Sequence, residues 1–184
     1  MHHGTDHTAP VHVTAWLTAR ALFRNDDGQV LLLEQAAAGG PRWSLPGGPA
    51  RGEESVPVAC QRRVREATGL TFVPSRVLAV HHLPAADDVA EHVTVFDGGQ
   101  LAADTEIALG SGWASHRWVS REALEEFLPT PAVWEVTAAL GNLDVFARFL
   151  ALPAQHQSVA SAAAADGTLV PGGPCLVGPA PVAL

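Results

Sequence analysis

The chain has 184 residues, 47% of them hydrophobic and 16% charged, the balance of a folded protein with one sizeable core and a tail. Its formal net charge of −8 argues against nucleic acid as a bulk polyanionic partner, because such binding needs Lys and Arg to neutralise phosphates. A small phosphorylated ligand stays open, since a few local cations suffice, and all eleven basic residues are arginine, the better bidentate phosphate partner.

Residues 1–10 have no apolar run and no basic region, so a flexible N-terminus without a secretion signal is expected. Val11 to Phe23 and Gln29 to Glu34 flank the turn-forming Asn25-Asp26-Asp27-Gly28, which is a β-hairpin signal. Ala36 to Pro41 is a small-residue loop, and Trp43 to Gly48 reads as a short strand running into a glycine loop. Ser55 is placed to cap a helix that continues to about Thr68 and stops at Gly69, with Pro57 in its first turn. Thr71 to Leu83 and Glu91 to Phe96 are expected as strands, Asp97-Gly98-Gly99 as a turn, and His116 to Val119 as a further strand. Ser120 is expected to cap a short helix through Phe127, and Pro131 to open a longer one ending near Leu150. This α+β order gives one domain over residues 11–150. Residues 151–184 form an Ala/Pro/Gly-rich tail whose sole acid is Asp166, expected to be mobile or to lie over the domain or a second subunit.

Cys60 and Cys175 lack metal-ligand spacing, and two isolated thiols without a signal fit a cytoplasmic chain. No stretch approaches the roughly 20 apolar residues that span a bilayer, so no membrane association is expected.

The densest pattern runs from Gly48 to Leu70. Gly48, Glu54, Arg62, Val64, Glu66, Gly69 and Leu70 follow the spacing G-x5-E-x7-R-E-U-x-E-E-x-G-U, with U aliphatic. The segment resembles the Nudix box, and the hairpin, the Trp43-to-Gly48 segment, the Phe96-to-Gly99 segment and Arg117-Trp118-Val119-Ser120 extend the resemblance over residues 11–150. Two positions depart from it: Arg63 and Ala67 stand where the pattern has Glu. The resemblance implies an α/β/α sandwich with a mixed sheet, metal-assisted hydrolysis of a nucleoside diphosphate linked to another moiety, and frequent homodimers. It implies Glu66 as principal ligand for Mg²⁺ or Mn²⁺, Glu54 as a supporting carboxylate, Arg62 as the group orienting both, and Gly48 near the phosphates. Arg51 and Arg63 are added as substrate-binding candidates.

Positions i, i+3 and i+4 share a helix face, so Glu at residues 63, 66 and 67 would aim three carboxylates at one cavity. Here one carboxylate remains and an arginine replaces another, so Arg63 can pair with Glu66 or bind a phosphate itself. The family's downstream acid has no counterpart in Gly110 to His116. Glu53, Glu91, His81, His82, His92 and Glu106 are the substitute candidates, although a lone strand His is more often simply packed or exposed. Of the tryptophans, Trp118 and Trp134 read as core, whereas Trp16 and Trp113 could stack on a base. Two functional classes stand at this point: a divergent hydrolase, and a ligand-binding or regulatory module that has lost its metal site. A metal-free enzyme of altered chemistry is a third.

Overall fold

The computed structural model describes residues 14–36, 39–84, 89–102 and 104–143. The expectations for residues 1–10, for the tail and for Cys175 lie outside them. Among the described residues, seven strands form one mixed sheet. β1 (Thr14–Arg24) lies at its centre, parallel to β6 (Val89–Gln100), which pairs antiparallel with β5 (Val77–Leu83). β2 (Val30–Gln35) pairs antiparallel with β3 (Arg42–Ser44) and with β7 (Trp113–Val119).

The expected hairpin closes but does not zip. β1 and β2 share the single register pair Arg24↔Val30. Farther along, the edge of β1 is taken by β4 (Gly47–Pro49), with Thr18, Ala19 and Arg20 opposite Pro49, Gly48 and Gly47. The segment Trp43 to Gly48 therefore splits in two: its start pairs with β2, its glycines with β1. The sheet parts between these halves, and the parting becomes the cleft described below.

Period-two alternation loads both faces of the sheet. Ala19, Ala21, Phe23, Leu31 and Leu33 pack with Ala59, Cys60, Val64 and Ala67 of α1 (Val56–Thr68). Leu22, Val30, Leu32, Val93 and Val95 pack with Leu124 of α2 (Leu124–Phe127) and Val136 and Ala139 of α3 (Thr130–Gly141). Helices thus cover both faces, the α/β/α sandwich. Burial pushes the Cys60 thiol up to about 12.

Several local expectations are corrected. Thr71 to Arg76 is not part of the long strand. Pro74 has no N–H to give a ladder, the Phe72 carbonyl accepts from Gln61 Nε2 at 3.0 Å, and the Phe72 ring sits edge-on to Phe23 at 5.2 Å. Asp97-Gly98-Gly99 is a bulge inside β6, since Leu22 pairs with Asp97 and Phe23 with Gly99. A Cβ on Gly98 would lie 2.6 Å from the Phe23 ring. Neither Ser55 nor Ser120 makes a side-chain cap bond. At Ser55 one reason is Pro57, which removes an N–H the cap would use. α3 ends at Gly141, where Asn142 Nδ2 donates to the Leu78 carbonyl at 2.9 Å. Trp134 is 66% exposed, lying about 200° around the helix from core-facing Val136. No helix among the described residues is long and apolar enough to cross a membrane.

Candidate active site

The glycines of β4 set the site's backbone. Gly47 has φ +149°, and a Cβ there would lie 2.2 Å from the Ala19 carbonyl oxygen, so only glycine lets β4 lie this close to β1. Gly48 performs the same service for a side chain: its missing Cβ would stand 3.0 Å from Arg63 Nε. Arg63 lies across the strand there, its Nε donating to the Pro49 carbonyl at 3.3 Å.

One helical turn of α1 and the loop ahead of it then gather the charges. Arg62 grips Glu54 in a two-point pair, Nε to Oε1 and Nη2 to Oε2, both at 2.7 Å. Glu54 also accepts from the Arg51 backbone N–H at 3.1 Å, which closes the loop ahead of the helix. Glu66 receives Arg62 Nη1 at 3.1 Å and Arg63 Nη1 at 3.4 Å, with Arg51 Nη1 at 3.8 Å. Arg62 and Glu54 are largely sequestered, while Arg51 is 64% and Glu66 41% exposed. Three guanidinium groups thus face two carboxylates, a local excess of one positive charge.

The arrangement shifts both acids. The Arg62 hydrogen bond holds Glu54 below its ordinary value of 4.5, against a smaller desolvation effect. For Glu66 the largest single influence is desolvation, which pushes upward. The Arg62 hydrogen bond and the charges of Arg62, Arg51 and Arg63 together outweigh it, so the group sits below 4.5. The hydrogen bonds that Arg62 donates to Glu54 push its own pKa upward. Depressed acids contribute stability that is present above their unfolded values and lost as pH falls through the folded ones. The contribution of these two acids to the urea midpoint should therefore fall as pH drops below the ordinary value of 4.5, with Glu54→Gln flattening the acid limb more than Glu66→Gln, because Glu66 is more exposed and better screened. Equal acid limbs in wild type and Glu54→Gln would contradict this.

A cleft of about 540 Å³ opens where the sheet parts, with Thr18, Arg20, Gly47 and Gly48 on one side and Gln35, Ser44 and Trp113 on the other. A second pocket of about 390 Å³ is lined by Arg51, Arg63, Glu66, Ala67 and Ser111, and shares Gly47, Arg63 and Trp113 with the first. Arg63 stands at the junction. Trp16 and Glu91, register neighbours on β1 and β6, line the larger cleft together.

The structure thus brings together Glu54, Arg62, Glu66, Arg63, Arg51 and Gly48, with Glu91 across the cleft. It leaves the other substitute candidates aside. The rings of His82 and His92 meet in a tilted contact with centres 4.6 Å apart, Glu53 and Glu106 are exposed outside both pockets, and His81 lies 3.8 Å from Glu135. Two features escaped sequence reasoning. Arg20 reaches the cleft while its Nη1 bonds both oxygens of buried Glu135, at 2.8 and 3.0 Å. A charge at an inward strand position was its only signal. Gly110 packs under the last turn of α1, its N–H donating to the Ala67 carbonyl at 3.0 Å.

A sequence model of the NUDIX domain matches residues 15–140, most of the chain. The chain belongs to this family. A Bacillus subtilis protein provisionally named an 8-oxo-dGTP diphosphatase is 32% identical over 112 residues, covering 60% of this chain and 70% of that protein. A MutT protein of Methanosarcina mazei shares the fold with TM-score 0.59 and 27% identity, over 73% of this chain and 96% of that one. A NUDIX hydrolase of Nitrosomonas europaea matches with TM-score 0.58 and 24% identity, over 74% and 98%, a likeness of fold.

Nudix hydrolases generally use a divalent cation, so the residues here can be tested for fit. Hard cations want several free oxygen ligands. Among the described residues no three His, Cys, Asp or Glu side chains cluster to hold a metal. Both oxygens of Glu54 are taken by Arg62, and Glu66 is flanked by three guanidinium groups. A dication would meet the charges of Arg51 and Arg63 directly. This donor set does not fit Mg²⁺ or Mn²⁺ held by the protein alone.

Proposed function

We propose that this Nudix protein hydrolyses the pyrophosphate bond of a nucleoside diphosphate linked to another moiety. The observation that carries the reading is Arg63 at the junction of the two pockets, beside Glu66, on a Nudix fold. The diphosphate would lie over Gly48 between Arg51 and Arg63, its nucleoside towards Trp16 and Glu91. The oxygen of water bonds to one phosphorus, the bridging oxygen leaves with the other, and the proton shed by the water ends on the departing phosphate. Arg51 and Arg63 face the oxygens on which charge builds. Glu66 is the carboxylate beside the reacting group, oriented by Arg62, whose own position is fixed by Glu54.

The Arg63–Glu66 contact favours a second reading, a module that binds such a ligand without cleaving it. The test is product release from ADP-ribose and 8-oxo-dGTP, which the names of Nudix relatives point to, followed by chromatography with EDTA, Mg²⁺ or Mn²⁺. Turnover that is lost in Glu66→Gln supports hydrolysis. Binding of either nucleotide without turnover in any condition would leave the module.

A further inference from the structure

We propose that Arg51 and Arg63 do the electrostatic work of a divalent cation in this protein, so that it anchors a diphosphate without metal. The inference rests on the reading that the cleft takes a phosphorylated ligand. Its basis is how the five charges divide. Arg62 balances Glu54 through two bonds of 2.7 Å and is mostly sequestered, while its Nη1 also steadies Glu66 at 3.1 Å. What remains is Arg51 and Arg63 against Glu66, two cations for one exposed anion, at 3.8 and 3.4 Å.

The contacts of Arg51 and Arg63 to Glu66 are longer than a tight charge-assisted bond of roughly 2.7 to 2.9 Å, so a phosphate can draw these two arginines off the carboxylate, which Arg62 continues to hold. The pocket to receive it is there. Ala67 is buried and contributes no carboxylate to the lining, and the absent Cβ of Gly48 lets the Arg63 guanidinium lie along the pocket mouth. A diphosphate carries enough negative charge to satisfy both arginines, and guanidinium forks match phosphate oxygens two at a time. Glu66 serves as a counter-ion that holds the two arginines in place while the pocket is empty.

The experiment is calorimetric titration of inorganic pyrophosphate and of ADP-ribose into the full chain, once in EDTA and once in Mn²⁺. The variants are Arg63→Ala and the double variant Arg63→Glu/Ala67→Glu, each checked for folding by circular dichroism. Wild type should bind both probes in EDTA, more weakly as salt rises, and Arg63→Ala should lose roughly tenfold or more. The double variant, which restores three carboxylates to one helix face, should bind only with Mn²⁺. Wild-type binding that appears only with Mn²⁺ would overturn the inference and leave the proposed function standing. No binding of either probe in any condition would overturn both.

Discussion

Gly110→Ala is expected to lower the unfolding free energy by about 2 to 3 kcal/mol, the scale of overpacking against a part that cannot give way. A Cβ at this position would lie 1.9 Å from the Glu66 carbonyl oxygen and 3.0 Å from its carbon, both backbone atoms of α1. The loop cannot simply retreat, because it terminates that helix. The Gly110 N–H donates to the Ala67 carbonyl and the Ala108 N–H to the Thr68 carbonyl, each at 3.0 Å, while Gly69 turns the chain with φ +72°. Relief of the clash moves the last turn of α1, and with it Glu66, so phosphate binding should weaken alongside stability. Gly112→Ala is the comparison: its φ is +95° but no atom lies within 4 Å, so only backbone strain of about 1 kcal/mol is expected. Urea unfolding of the three proteins checks the order, and an unchanged midpoint for Gly110→Ala would remove the loop from its capping role.

Glu135→Gln is expected to destabilise by about 2 kcal/mol while tightening pyrophosphate binding, two effects of opposite sign from one change. The Glu135 side chain is 2% exposed and Arg20 20% exposed. Removing one partner of a fully buried pair costs about 3 to 5 kcal/mol, and the partial access of Arg20 to the cleft reduces it. The unpaired guanidinium is left lining that cleft, where an anion can meet it. His81 Nδ1, buried without a hydrogen-bond partner, lies 3.8 Å from Glu135 Oε2 and gives Arg20 no replacement. The double variant Arg20→Met/Glu135→Leu should recover most of the stability and none of the extra affinity, because apolar side chains of similar volume replace the pair. A thermodynamic cycle over these variants decides it. If Glu135→Gln cost nothing and bound no more tightly, the pair would be an ordinary screened surface contact.

The fold was legible because its cues are local. Asn25 to Gly28 forces a turn whatever surrounds it, α1 carries an apolar stripe from Ala59 to Ala67, and Gly69 adopts the left-handed cap at its predicted place. Two of the misreadings depended on a distant neighbour. Asp97 to Gly99 carries a turn's composition yet continues a strand, because β1 supplies the pairing and Phe23 needs the space of Gly98. Trp134 sits in an apolar helix, yet the packed face runs through Ala132, Val133, Val136, Ala139 and Leu140 and leaves it outside.

The same division runs through the candidate site. Spacing alone put Arg62, Arg63 and Glu66 within one helical turn, since i, i+3 and i+4 geometry is set by the helix itself, and the resemblance to the Nudix box marked Arg63 and Ala67 as standing in place of two carboxylates. It could not show which arginine belongs to which acid. That Arg62 bridges Glu54 and Glu66, with Arg51 and Arg63 more loosely set beside Glu66, depends on how the loop before α1 folds back. The cleft itself exists because β4 takes the edge of β1 from β2, and Arg20 stands in it because Glu135, 115 residues away, holds it there. Sequence fixes what is near along the chain, through backbone geometry. Charge pairing and cavities arise between segments remote in sequence, and only the folded chain selects them.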